Sequence, residues 1–180
     1  MTVRTHRMCT LAALLLLPAA VQAHDYTYLE GGFLNRDNGR ADDSGLRIAG
    51  SADVAPQVAL IGEYADTGDF EQFSAGAIFH APIQRDLDWF AGATIEFADA
   101  GPVDDTGFGL RGGVRWRFAK AFELSPEIRH VELFDSGDTS LRLAGLFRVA
   151  PQLDVQAALQ GGDDDRFEAG VRYSFNVRGG

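Results

Sequence analysis

The stretch 106–118 reads Thr106-Gly-Phe108-Gly-Leu110-Arg-Gly112-Gly-Val114-Arg-Trp116-Arg-Phe118. Phe108, Leu110, Gly112, Val114, Trp116 and Phe118 occupy every second position, with Gly109, Arg111, Gly113, Arg115 and Arg117 between them. Successive side chains of a strand point to opposite faces, so this period of two writes one apolar face and one arginine face. The same alternation recurs in 139–149 and 166–175. Applied along the chain, it places strands at 25–35, 44–54, 57–65, 71–80, 87–97, 106–118, 122–134, 139–149, 153–160 and 166–175. Nothing between them carries a helical period.

Composition narrows the class. The chain has 180 residues, a length that suggests one domain. A pI near 4.7 argues against a nucleic-acid partner. No run of 18 apolar residues is present, which excludes an ordinary transmembrane helix. Residues 1–23 read as a cleaved signal peptide: Arg4 and Arg7, an apolar run over 11–21, then Ala23 before His24. Cys9 would leave with it, so 24–180 would be an exported domain with neither a disulfide framework nor a cysteine zinc site. Lys120 is the only lysine.

Connections between the strands alternate in chemistry. Those at 55–56, 81–86, 119–121 and 150–152 are short and mostly apolar, whereas those at 36–43, 66–71, 98–105, 135–138 and 161–165 are acidic and rich in glycine. The acidic set carries a net charge of −12, the whole net charge of 24–180, where 14 bases meet 26 acids. In an up-and-down sheet every second connection lies at the same end. One end is therefore expected to be a compact turn surface and the other an acidic crown.

The aromatic residues separate a membrane barrel from a soluble sandwich. Phe33, Tyr64, Phe73, Phe97, Phe108, Phe134 and Phe167 fall at the loop end of the apolar face, and Phe79, Trp89, Trp116, Phe118, Phe122, Phe147, Tyr173 and Phe175 at its turn end. Fifteen of the 19 aromatics thus form two rings around an aliphatic band. A soluble core would concentrate them in the middle, whereas two girdles describe a transmembrane β-barrel. The expected fold is all-β: an up-and-down antiparallel transmembrane barrel of about ten strands.

The opposite face then lines the lumen. It carries Asp88, Glu96, Arg111, Arg115, Arg117, Glu123, Glu127 and Arg129, with Glu30, Asp53, Glu63, Asp154, Glu168, Arg47, Arg142, Arg148 and Arg172. Nine acids balance eight bases, as a lattice of buried pairs requires. A turn at 119–121 that pairs Phe118 with Phe122 predicts an Asp88–Arg117–Glu123 bridge. Such a lattice either plugs the lumen or lines a narrow pore; ten strands lie near the closed limit.

One segment breaks phase. In 122–134 strict alternation puts Pro126, His130 and Glu132 toward lipid, and a β-bulge between Ile128 and Val131 would turn Val131 and Leu133 outward instead. Lipid A deacylases carry a His-x-Ser motif, but the residues here are His130-x-Glu132. No catalytic, cofactor or transition-metal site is expected, and His24 and His80 stand isolated. The Asp clusters 42–43, 104–105 and 163–165 offer oxygen ligands that could bridge divalent cations to lipopolysaccharide.

Two motifs carry a resemblance. Glu168-Ala-Gly170-Val-Arg-Tyr173-Ser-Phe175 resembles the signal that the barrel assembly machinery recognises in outer-membrane proteins, with Gly170, Tyr173 and Phe175 at its marked positions. Tyr26-Thr-Tyr28-Leu-Glu30-Gly31-Gly32-Phe33 resembles the first strand of a family of small xanthomonad outer-membrane barrels. The resemblance implies a ten-stranded barrel in the outer membrane, among lipid and lipopolysaccharide, and no catalytic residues. The expected role is structural or surface-interactive. A narrow pore and an exported lipocalin-like binder, apolar inside and polar outside, are the alternatives.

Overall fold

A computed structural model describes residues 24–37, 42–68 and 70–175. Its ten strands are β1 (Tyr28–Asp37), β2 (Asp42–Ala55), β3 (Val58–Asp66), β4 (Glu71–Gln84), β5 (Leu87–Asp99), β6 (Asp104–Ala119), β7 (Phe122–Leu133), β8 (Ser136–Ala150), β9 (Leu153–Gly162) and β10 (Asp165–Ser174). Each pairs antiparallel with its neighbours in sequence, and β1 pairs with β10 from Tyr28↔Ser174 to Asp37↔Asp165, closing the sheet. Closure leaves no strand edge unpaired, the condition for a sheet to sit in hydrocarbon. The expected signal peptide, residues 38–41 of the first acidic loop and the chain end 176–180 lie outside the described residues.

The seam explains one residue of the expected assembly motif. Gly170 lies opposite Gly32, and a Cβ on Gly170 would stand 2.8 Å from the Gly32 Cα. Only glycine permits that approach of the first and last strands.

The acidic end differs from expectation. The segment 135–138 is not a loop: Phe134 and Asp135 form the whole turn at φ 53° and 57°, and Ser136–Asp138 already pair with β7. Two successive positive φ values suit the twist of a two-residue hairpin. Only Asp163 and Asp164 separate β9 from β10. Backbone pairing needs no apolar side chain, so the ladder continues past the end of the hydrophobic alternation. Several of the acids cap these turns: Asp66, Asp99 and Asp165 each accept a backbone N–H at 3.0 Å, from Gly68, Gly101 and Gly162. The crown is a rim of strand ends.

Alternation in β7 is unbroken. Phe108, Leu110 and Gly112 pair with Glu132, His130 and Ile128 in turn, so His130 and Glu132 face outward while Val131 and Leu133 face the lumen. Of the two phases that the sequence leaves open for β7, strict alternation is the one formed, with no bulge between Ile128 and Val131; the β6–β7 irregularity falls between Trp116 and Ala119. Glu132 is level with the Phe108 ring, at the interface, where a polar residue needs no bulge to escape hydrocarbon.

Candidate functional site

The lumen is crossed by a continuous belt of arginines and carboxylates. Arg47 (β2) reaches Glu30 (β1) at 2.8 Å and Glu63 (β3) at 2.7 Å, with Glu168 (β10) at 3.7 Å. Glu63 continues to Arg129 (β7) at 3.3 Å, Arg129 to Glu127 at 2.7 Å, and Glu127 to Arg111 (β6) at 3.0 Å. In the other direction Glu30 accepts from Arg172 (β10) at 2.6 Å, and Arg172 lies 3.4 Å from Glu123 (β7). Glu123 takes Arg115 (β6) at 2.7 Å, and Arg142 (β8) closes on Glu168 through two hydrogen bonds. The guanidinium fork suits this work because one arginine can serve two carboxylates.

Alternation delivers each of these side chains inward, and closure brings distant strands together. Of the eight lattice residues singled out from the sequence, Arg111, Arg115, Arg117, Glu123, Glu127 and Arg129 enter the network. Glu96 is buried among neutral donors instead, Gln72 Nε2 at 3.0 Å and the Thr94 hydroxyl. The expected Asp88–Arg117–Glu123 bridge is half realised. Arg117 lies 3.4 Å from Glu123, but Asp88 sits opposite Arg115 in register, and His24 comes within 3.2 Å of it. The β5–β6 ladder ends at Leu87↔Trp116, so Arg117 lies one residue beyond the end of β5.

His24–Thr27 supply a feature that sequence reasoning missed. They do not extend β1; they turn into the turn-side mouth. His24 and Tyr26 are each 1 % exposed. Tyr26 stacks on His80 with ring centroids 3.7 Å apart, beneath the Arg115 guanidinium at 4.6 Å. Arg115 also donates to the Asp25 carbonyl at 2.8 Å, and His80 Nε2 lies 3.1 Å from Asp53. The signal was present in the phase: Tyr26 and Tyr28 share the parity of Glu30.

Burial, only partly offset by the nearby Asp88 carboxylate at 3.2 Å, holds the His24 imidazole below its ordinary 6.5. A base buried in its neutral form contributes stability that is complete above about pH 6.5 and lost as the pH falls below it. The expected result is a lower urea midpoint at pH 5 than at pH 7.5, with His24→Gln flattening that part of the profile.

Two chambers lie on either side of the belt. The one toward the acidic rim measures about 160 Å³ and is lined by Arg36, Phe70, Gln72, Glu96, Gln160 and Arg166 among others. The one toward the turns measures about 50 Å³ and is lined by Tyr26, Tyr28, Phe90 and Arg172 among others. They share Glu63, Arg111 and Arg129. Among the described residues no three His, Cys, Asp or Glu side chains converge on a metal position.

Fourteen of the fifteen aromatics assigned to the two rings are exposed on the outer wall, including Phe33, Phe108 and Phe167 at one end and Trp89, Trp116 and Tyr173 at the other; Phe134, in the turn after β7, instead borders the rim-side chamber. Neighbouring strands bring rings together: Phe73 with Phe97 at 6.1 Å, Phe79 with Trp89 at 5.5 Å, Phe122 with Phe147 at 4.8 Å. The aliphatic band between them includes Ile48, Leu60, Ile128 and Leu141, also exposed. A lipocalin-like binder would show the reverse, with apolar residues inside. At the rim side of the wall, His130 Nδ1 lies 2.8 Å from Thr139 Oγ1 and its Nε2 3.6 Å from Glu132. The hydroxyl missing from the His-x-Glu segment thus comes from β8.

No protein-family model and no curated protein matches the chain. Among solved structures it is similar to the KdgM porin in complex with disordered oligogalacturonate, at TM-score 0.53 and 11% identity, over 83% of this chain and 99% of that one. It is also similar to the NanC porin, at TM-score 0.50 and 8% identity, over 82% of this chain and all of the other. At such identities the likeness shows the fold, that of a small outer-membrane β-barrel.

Proposed function

We propose that this is an integral outer-membrane barrel whose lumen is closed, working as a membrane wall with an acidic outer rim and not as an open channel. The arginine–carboxylate belt carries the reading: it engages side chains of β1, β2, β3, β6, β7, β8 and β10 and lies between the two chambers. Outer-membrane lipid and lipopolysaccharide are the partners that the exposed aliphatic band and aromatic rings fit. Divalent cations between the rim carboxylates and lipopolysaccharide belong to the same proposal, as does recognition of Gly170, Tyr173 and Phe175 by the barrel assembly machinery. His130, Glu132 and Thr139 serve as a polar anchor among headgroups, and no catalytic role is assigned to them. The Tyr26–Phe33 motif supports placing the chain with the small xanthomonad barrels.

Planar-bilayer recordings of refolded 24–180 are expected to be electrically silent. A steady, ion-selective conductance that changes in Arg117→Ala would overturn this reading and establish the second one, a narrow pore. Two chambers meeting at Glu63, Arg111 and Arg129 favour that alternative.

A further inference from the structure

Asp88 is the most completely buried charged side chain described, at 0 % exposure, and neither of its oxygens accepts a hydrogen bond by geometry. Its one ion-pair partner among the described residues is the His24 ring at 3.2 Å. Arg115, opposite in register, is committed to Glu123 and to the Asp25 carbonyl. A buried carboxylate without a cation costs several kcal/mol, and an imidazole kept neutral by burial does not supply one. Among the described residues no cation pairs with Asp88, and the residue beside it is the first after the expected cleavage point.

We infer that Asp88 is the docking site for the processed amino terminus of this chain. Hydrolysis of the Ala23–His24 peptide bond by an export-pathway peptidase adds one water: Ala23 leaves as a carboxylate, and His24 retains an amine that is protonated at neutral pH. That ammonium belongs to the same residue whose ring already lies 3.2 Å from Asp88 and 3.6 Å from Glu123. Docking it completes the ion pair and seats His24–Thr27 in the turn-side mouth, where Tyr26 is locked against His80 and Arg115. Removing the leader thereby also assembles the stopper. The inference does not depend on whether the belt itself conducts.

The composition gives a direct test, because the processed chain has only two amines, the amino terminus and the exposed Lys120. In an unfolded chain at pH 7 an acylating reagent attacks the amino terminus first, since its ordinary pKa lies roughly 2.5 units below that of lysine. In the folded barrel, purified from membranes and confirmed by intact mass to begin at His24, the order is expected to invert. Lys120 labels first, and the amino terminus labels at least about tenfold more slowly than in Asp88→Asn, the effect of a one-unit rise in its pKa. If Asp88→Asn does not fold, a chain carrying one extra alanine before His24 serves instead. Its displaced amine should label at the unfolded rate. Preferential labelling of the amino terminus in the folded wild type would overturn the inference. So would equal protection in the variants, or a mature mass that begins elsewhere.

Discussion

Arg47→Met is expected to lower the stability of the barrel by about 3–5 kcal/mol, read as a large drop in urea midpoint for protein folded in phospholipid vesicles. Arg47 is the branch point of the belt, within 2.8 Å of Glu30, 2.7 Å of Glu63 and 3.7 Å of Glu168. Methionine keeps most of the side-chain volume and removes the charge, so the loss comes from three carboxylates deprived of a shared cation. Each retains another partner: Arg172 for Glu30, Arg129 for Glu63 and Arg142 for Glu168. This makes the origin of the cost separable. Adding Glu63→Gln to Arg47→Met should recover part of the loss, because it removes one of the charges left short of a cation, whereas Glu63→Gln alone should destabilise. A double-mutant cycle with no coupling would mean that the belt is a set of solvated contacts and not a closure.

Most of the fold was legible because a barrel of this kind follows one rule. Period two assigns each residue to the lipid or the lumen, and Trp116 and Arg115 on β6 show how sharply one step changes the environment: 46 % exposed against 6 %. The rule has no term for where pairing stops. It extended β1 back through Asp25–Thr27, which tuck into the mouth, and it began β8 at Thr139, although pairing starts at Ser136. Nor does it set register. Whether Asp88 stands opposite Arg117 or Arg115 depends on how β5 and β6 are aligned, which no residue type announces. His24 and His80 looked isolated for the same reason, since their carboxylate partners Asp88 and Asp53 stand on other elements. For β7 the alternation left two phases open, and depth decides between them: His130 and Glu132 stand level with Leu110 and Phe108, at the rim-side ring, where outward polar side chains need no bulge.

Depth is also what the second large effect depends on. Ile128 pairs with Gly112 on β6 and Leu141 on β8, midway along β7 between Leu124, level with Trp116, and Glu132, level with Phe108. It is 55 % exposed and lies in the middle of the aliphatic band. Ile128→Arg is therefore expected to cost about 2–4 kcal/mol in vesicles, the penalty for a cation at the bilayer midplane, while Thr139→Arg at the rim should cost about 0–1. Both substitutions fall on the outer wall and remove no contact of the belt, so lumen packing does not enter the comparison. A barrel standing in water would rank them differently, because an arginine on an exposed wall costs little at either height. Equal midpoints for the two variants would contradict a membrane-spanning wall, whereas a gradient from Ile128 to Thr139 locates the hydrocarbon directly against the two aromatic rings.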